Sequence, residues 1–158
     1  MQKINVGIVG GAGYTGGELL RVLLRHPQVH INFVHSSSSA GQLVSAVHTD
    51  LLGDTELVFT NNLIDNVDLL FLCVGHSEAS QFLENHSIAT TTKIIDLSQD
   101  FRCAPSQQQG SRNFIYGLPE LNKKAIQSAH QWPHARFSKS LCHWWHRAPQ
   151  PLREHAHL

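Results

Sequence analysis

The sequence predicts an α/β fold, a doubly wound parallel sheet with helices on both faces, and three observations carry that prediction. Short β-branched apolar runs alternate with segments of helical periodicity, the pattern of a parallel sheet joined by right-handed crossovers. One run, Asp68-Leu69-Leu70-Phe71-Leu72-Cys73-Val74, is apolar almost throughout, as a strand covered on both faces must be. A glycine cluster stands between the first strand pattern and the first helix pattern.

Residues 4–9, Ile-Asn-Val-Gly-Ile-Val, read as a buried strand. Residues 14–25 read as a helix, because Leu19, Leu20, Leu23 and Leu24 fall on one face while Arg21 and Arg25, four apart, share the outer side. Pro27 stops it. Residues 31–35 form a second strand, followed by four serines. A short helix is expected over 40–47, a third strand over 56–59 and a fourth over 68–74. A helix over 77–84 follows, with Ser77 as its cap, then a fifth strand over 93–97.

The chain has 158 residues, enough for one domain with its own core. Its formal net charge is zero with His neutral, which gives no electrostatic pull toward nucleic acid. No apolar run is long enough to span a bilayer, and the opening residues lack a signal-peptide layout. Cys73, Cys103 and Cys142 are odd in number and far apart, so no disulfide framework is expected and a reducing, cytoplasmic setting is.

Composition divides the chain. All eleven Gly lie at or before Gly117, and Trp132, Trp144 and Trp145 all lie after it. Half of the twelve His and half of the six Pro fall from His130 onward. From residue 132 on there is no Val, Ile, Gly, Thr, Asn or Asp, and Arg136, Lys139, Arg147 and Arg153 face only Glu154. The expected organisation is therefore one nucleotide-binding domain over 1–130 and an irregular His-, Trp- and Arg-rich tail over 131–158.

The glycine cluster carries the clearest chemistry. Gly10, Gly11, Ala12, Gly13, Tyr14, Thr15 and Gly16 contain Gly-x-Gly-x-x-Gly between a strand and a helix, the Rossmann-type context in which that motif binds a dinucleotide. Glycine permits the tight turn, and the unsatisfied first amides of the helix bind the pyrophosphate. The alternative is a glycine-rich turn that binds nothing.

The end of the second strand distinguishes the two nicotinamide dinucleotides. An NAD site places Asp or Glu there for the ribose 2′-hydroxyl. Here stand Ser36, Ser37, Ser38 and Ser39, whose hydroxyls can donate to a 2′-phosphate, so the expected cofactor is NADP. The alternative is a solvated serine loop. Gly75 and His76 follow the fourth strand on the edge where a cofactor lies, and His76 is equally well read as a loop histidine.

Three stretches go further: GIVGGAGYTGGELLRVLLRHP from Gly7, IIDLSQDFR from Ile94 and FIYGLPELNKKAI from Phe114. In this order and spacing the chain, over residues 3 to 130, resembles N-acetyl-gamma-glutamyl-phosphate reductase, an enzyme of arginine biosynthesis. The Asp-Leu-Ser-x-Asp-Phe-Arg and Tyr-Gly-Leu-Pro-Glu-Leu-Asn strings set it apart from the related aspartate-semialdehyde dehydrogenases. The resemblance implies a homo-oligomeric oxidoreductase in which a cysteine thiolate displaces phosphate from N-acetyl-glutamyl phosphate. The resulting thioester takes hydride from NADPH and leaves as the semialdehyde, with a histidine assisting proton transfer. Asp96, Ser98, Asp100 and Arg102 then support the active-site side of the sheet, or Asp100 and Arg102 form a structural ion pair.

The resemblance fails after His130. The family's nucleophile lies in an Asn-Pro-Gly-Cys turn, and the chain instead reads QWPHARFSKSLCHWWHRAPQPLREHAHL. The expectation is a tail translated out of frame or otherwise replaced, and a chain without reductase turnover. It would then be a non-catalytic NADP-binding module, or a relic whose bare sheet surface is covered by the tail tryptophans. Cys142 is the cysteine nearest the expected nucleophile position, but its neighbours Leu141 and His143 do not match. Cys142-His143-x-x-His146 and His155-x-His157 offer metal-ligand types at a spacing that fits no closed zinc site, so no metal is expected.

Overall fold

The computed structural model describes residues 3–64, 66–101, 108–109, 112–129 and 135–138. In chain order its elements are β1 (Ile4–Val9), α1 (Tyr14–Leu24), β2 (Val29–His35), α2 (Val44–Val47), a 3-10 turn (Thr49–Leu51) and β3 (Phe59–Thr60). There follow β4 (Leu69–Leu72), α3 (Glu78–Asn85), β5 (Lys93–Asp96), β6 (Gln108–Gln109), β7 (Arg112–Tyr116), α4 (Pro119–Ala129) and β8 (Ala135–Ser138).

The strands form one sheet in the order β3-β2-β1-β4-β5-β8-β7-β6. The pairings are parallel except that of β6 with β7. The chain runs outward from β1 through β2 to β3, then returns across β1 to start β4. The order therefore reverses between β1 and β4, and a sheet of this type opens its ligand crevice at such a point.

Strand alternation sorts the core onto two faces. Val6, Ile8, Val34, Phe71 and Ile95 pack with Leu19, Leu20 and Leu23 of α1. Val9, Phe33, Leu70, Leu72 and Ile94 pack with Phe82 of α3 and with Phe101 and Phe114. The last two rings stack with centroids 4.0 Å apart. Leu20 is fully buried, and truncating such a side chain to Ala costs about 2–5 kcal/mol.

The strand and helix pattern expected through residue 97 is present, with the third strand moved from 56–59 to Phe59–Thr60; β6, β7 and α4 are not among the expected elements, and three further differences have local causes. The helix expected over 40–47 is reduced to α2. Gly41 sits at φ +84°, and the chain here is tied to residues 58–59 instead, through an isolated bridge of Leu43 with Val58: Gly41 N–H donates to Phe59 O at 2.8 Å, and Phe59 N–H donates to Gln42 O at 2.9 Å. The cap expected of Ser77 is not made. Ser77 holds φ +66° and its side chain bonds no α3 amide. Finally, the sequence reading placed no element in the tail, yet Ala135–Ser138 form β8, parallel to β5 on one side and β7 on the other. Two strand edges offering unpaired N–H and C=O groups draw a segment into the ladder whatever its local pattern.

Candidate functional site

At the C-terminal ends of β1, β2 and β4 lies a cleft of about 670 Å³. Its floor is Val9, Gly10, Ala12 and Gly13; one wall is His35 with Ser36, Ser37, Ser38 and Ser39; the other is Cys73, Val74 and Gly75 with the inner face of α3.

Two glycines make the floor. Gly10 has φ +78°, and a Cβ there would lie 2.5 Å from the Cys73 carbonyl oxygen, so the close approach of the chain just after the paired strands β1 and β4 admits no side chain. A Cβ on Gly16 would lie 2.5 Å from Gly10 O and 2.6 Å from Gly11 Cα, so α1 starts directly against the turn. Its N-cap is Gly13, which has no side chain to bond the first amides, and the first turn carries no acidic residue. A helix N-terminus of this kind attracts an anion through its outward amides and its partial positive charge.

The N-terminus of α3 is closed by contrast. The Asp100 carboxylate accepts from Ser77 N–H at 2.7 Å, Ala79 N–H at 3.0 Å and Ser80 N–H at 3.2 Å. Asp100 is itself held by a short relay. Its own N–H donates to Ser98 Oγ at 3.1 Å, and that hydroxyl donates to the buried Asp96 carboxylate at 2.9 Å. The Asp-Leu-Ser-x-Asp string thus fixes the second helix, while the first has no side-chain cap.

The serine loop leaves β2 through Ser36, which is buried. Its N–H donates to Thr60 O at 3.0 Å, and its hydroxyl accepts from Ser39 N–H at 3.3 Å. Ser37 and Ser38 are exposed on the rim. The carboxylate among the described lining residues is Glu78 on the α3 side, where Oε2 accepts from Gly75 N–H at 3.0 Å.

Three rings line the same cleft. Phe82 meets His35 edge-on with centroids 5.8 Å apart and stacks on His86 at 4.3 Å. Burial, and secondarily His86, hold the His35 imidazolium below its usual range, with the Asn61 backbone opposing. Burial, and secondarily Asp96, push the Cys73 thiol up to about 12, so Cys73 is a packing group and a poor nucleophile at neutral pH.

Of the residues singled out from sequence, Gly10, Ala12, Gly13, Ser36, Ser37, Ser38, Ser39 and Gly75 line one cleft. Gly11 lies behind it, where a Cβ would stand 2.1 Å from Val34 Cγ1. Tyr14 is exposed and Thr15 half-buried in the first turn of α1, and Gly16 is the contact just described. His76 is 72% exposed beside Asp100, with Nδ1 3.4 Å from Oδ1, and does not line the cleft. The Gly75 amide is already taken by Glu78. Arg102, Cys142 and the tail histidines lie outside the described residues.

Several residues at or behind the cleft were not read from sequence, among them His35, Glu78, His48, Phe82 and His86. His48 is buried and its Nε2 lies 2.8 Å from Gly11 O. Its trace in the sequence is Gly17, a helical glycine with no role in the motif, where a Cβ would lie 2.5 Å from His48 Cε1. Phe82 and His86 have a fainter trace, their spacing of four on one helix.

These features agree with what comparison finds. The family described as "Semialdehyde dehydrogenase, NAD binding domain" matches residues 5–129. The N-acetyl-gamma-glutamyl-phosphate reductase of Flavobacterium johnsoniae is 50% identical over 123 residues, 78% of this chain and 38% of that protein. That of Parabacteroides distasonis is 49% identical over 127 residues, 80% of this chain and 38% of that one. The chain therefore spans well under half the length of these curated relatives. Among solved structures, aspartate semialdehyde dehydrogenase with NADP from Candida albicans superposes with TM-score 0.60 at 14% identity, over 89% of this chain and 43% of that one. Aspartate semialdehyde dehydrogenase II complexed with ASA from Vibrio cholerae gives 0.62 at 20% identity, over 88% and 38%; both likenesses speak to the fold. With its match running from β1 into α4, this chain belongs to the semialdehyde dehydrogenase NAD-binding domain family.

Proposed function

We propose that residues 1–130 are the NADP-binding domain of an N-acetyl-gamma-glutamyl-phosphate reductase. The single observation that carries this reading is the cleft at the sheet's switch point, where an uncapped helix start faces a serine loop and the Asp or Glu usual for NAD is missing. Gly10, Ala12 and Gly13, with the first amides of α1 at Tyr14, Thr15 and Gly16, would hold the pyrophosphate. The hydroxyls of Ser37, Ser38 and Ser39 would donate to the 2′-phosphate, while Ser36 shapes their loop. The bound cofactor supplies hydride. This chain's residues supply its position and the exclusion of water.

The near-50% identity to proteins named as this reductase supports an acyl phosphate as substrate, and the absence of any long apolar helix among the described residues suits a cytoplasmic setting. The thiolate that the acyl-phosphate chemistry needs has no candidate among the described lining residues, since Cys73 is held protonated. That favours a second reading, in which this polypeptide alone binds NADP without reductase turnover. The test is a chimera in which residues 5–127 replace the matching segment of the Flavobacterium johnsoniae reductase. A folded chimera that reduces the acyl phosphate with NADPH is the expected result, and a folded but inactive one would overturn the assignment. Phosphate-dependent oxidation of the semialdehyde by this polypeptide alone would sink the second reading.

A further inference from the structure

A 2′-phosphate brings up to two negative charges to the ribose end of a dinucleotide site, and serine hydroxyls supply hydrogen bonds but no charge. Such sites ordinarily place an arginine beside it. Among the described residues lining this cleft there is no Lys or Arg. The lining side chains able to become cationic are His35 and His86. His35 is the last residue of β2, immediately before Ser36, where the ribose end of the cofactor lies. Phe82 joins the two imidazoles, edge-on to one and stacked on the other. His86 Nδ1 donates to Phe82 O at 2.9 Å, which sets the tautomer and leaves Nε2 as the atom that takes a proton.

Resting on the NADP reading, we infer that His35 and His86 are the cationic element of the 2′-phosphate subsite, where a protonated imidazole meets the phosphate once the phosphorylated cofactor is bound. The other groups facing them are compatible with this. From α3, Glu78 lines the same cleft with Oε2 bonded to Gly75 N–H. Just after β4, Cys73 is a thiol whose pKa is pushed up to about 12. Val9 of β1, Gly10 just after it and Thr60 of β3 carry no charge. In the free protein, burial and the neighbouring His86 lower the His35 pKa from its ordinary value. A phosphate dianion reverses that balance, because an opposite charge nearby favours the protonated form.

The consequence is a cofactor-specific pH dependence. Protonating the imidazoles costs free energy at pH 8 and less at pH 6.5, so NADP affinity rises as pH falls while NAD affinity does not. The phosphate's own second pKa, near 6, limits the usable range to about pH 6.5 and above. The experiment titrates the full chain with NADP and with NAD by calorimetry at pH 8 and 6.5, in two buffers of different ionisation heat. The expected result is a gain of about fivefold for NADP, under about twofold for NAD, and net proton uptake with NADP only. In His35→Gln and His86→Gln, folded by circular dichroism, the gain shrinks. As a measurement independent of variants, the imidazole NMR shifts of the wild-type chain titrate to higher pH once NADP is added. NADP binding with the same pH dependence as NAD, or with unmoved imidazole titrations, overturns this inference and leaves the cofactor reading standing. No binding of either dinucleotide by folded chain overturns both.

Discussion

His48 Nε2 donates to the carbonyl oxygen of Gly11 at 2.8 Å, tying the segment after α2 to the middle of the glycine turn. The bond is buried, and the ring also meets Phe59 edge-on at 6.3 Å. Gly17 gives it room. The turn's shape is therefore set from behind as well as by its own glycines. His48→Ala leaves a buried carbonyl without its donor, a cost of about 1–3 kcal/mol. Thermal denaturation should show that loss, and calorimetry should show weaker NADP binding, because the turn is no longer held in its binding shape. A variant with unchanged melting and unchanged affinity would show that the bond is incidental.

Gly16 is the contact between helix and turn. Gly16→Ala places a methyl group within 2.6 Å of Gly10 O and Gly11 Cα, and both of those are backbone that cannot rotate away. The expected cost is about 1–3 kcal/mol, with cofactor affinity falling further than stability alone explains. Equilibrium denaturation beside calorimetry separates the two effects.

Asp100 caps α3 through three amides. Asp100→Ala should cost about 1–2 kcal/mol, and hydrogen exchange should quicken first at the Ala79 and Ser80 amides. Ser77→Ala should do much less, since the Ser77 side chain bonds no α3 amide. Equal effects of the two changes would contradict the assignment of the cap.

Cys73 offers a chemical probe. With its thiol held at about 12 against an ordinary value of 9.0, the native chain at pH 8 should label with iodoacetamide at Cys73 at least about a hundredfold more slowly than the denatured chain, as read by peptide mapping. The sign for stability follows. Between 9.0 and about 12 the folded state binds the proton more tightly than the unfolded state, so this group's contribution to stability declines as pH rises through that window.

Much of the fold was legible because its signals are local. Ile4 to Val9, the leucine face of α1 and the apolar run through Phe71 each declare their element within a few residues. The glycine turn and the serine loop were legible for the same reason. What sequence could not give was long-range. Asp100 caps a helix 20 residues earlier, and His48 reaches back 37 residues to Gly11; neither carries a local mark. Ser77 looked like a cap by residue type, but its left-handed backbone turned the side chain away and a distant carboxylate took the amides. β8 was invisible because its place comes from β5 and β7. Asn122 is similar, its side-chain amide donating to Tyr116 O at 2.8 Å across the turn into α4.

The most direct test of the central claim is titration of the purified, folded chain with NADP and, separately, with NAD. A cleft built of an uncapped helix start and a carboxylate-free serine loop should bind NADP saturably at one site, and more tightly than NAD. No saturable heat with either dinucleotide, or an equal or tighter constant for NAD, would contradict it.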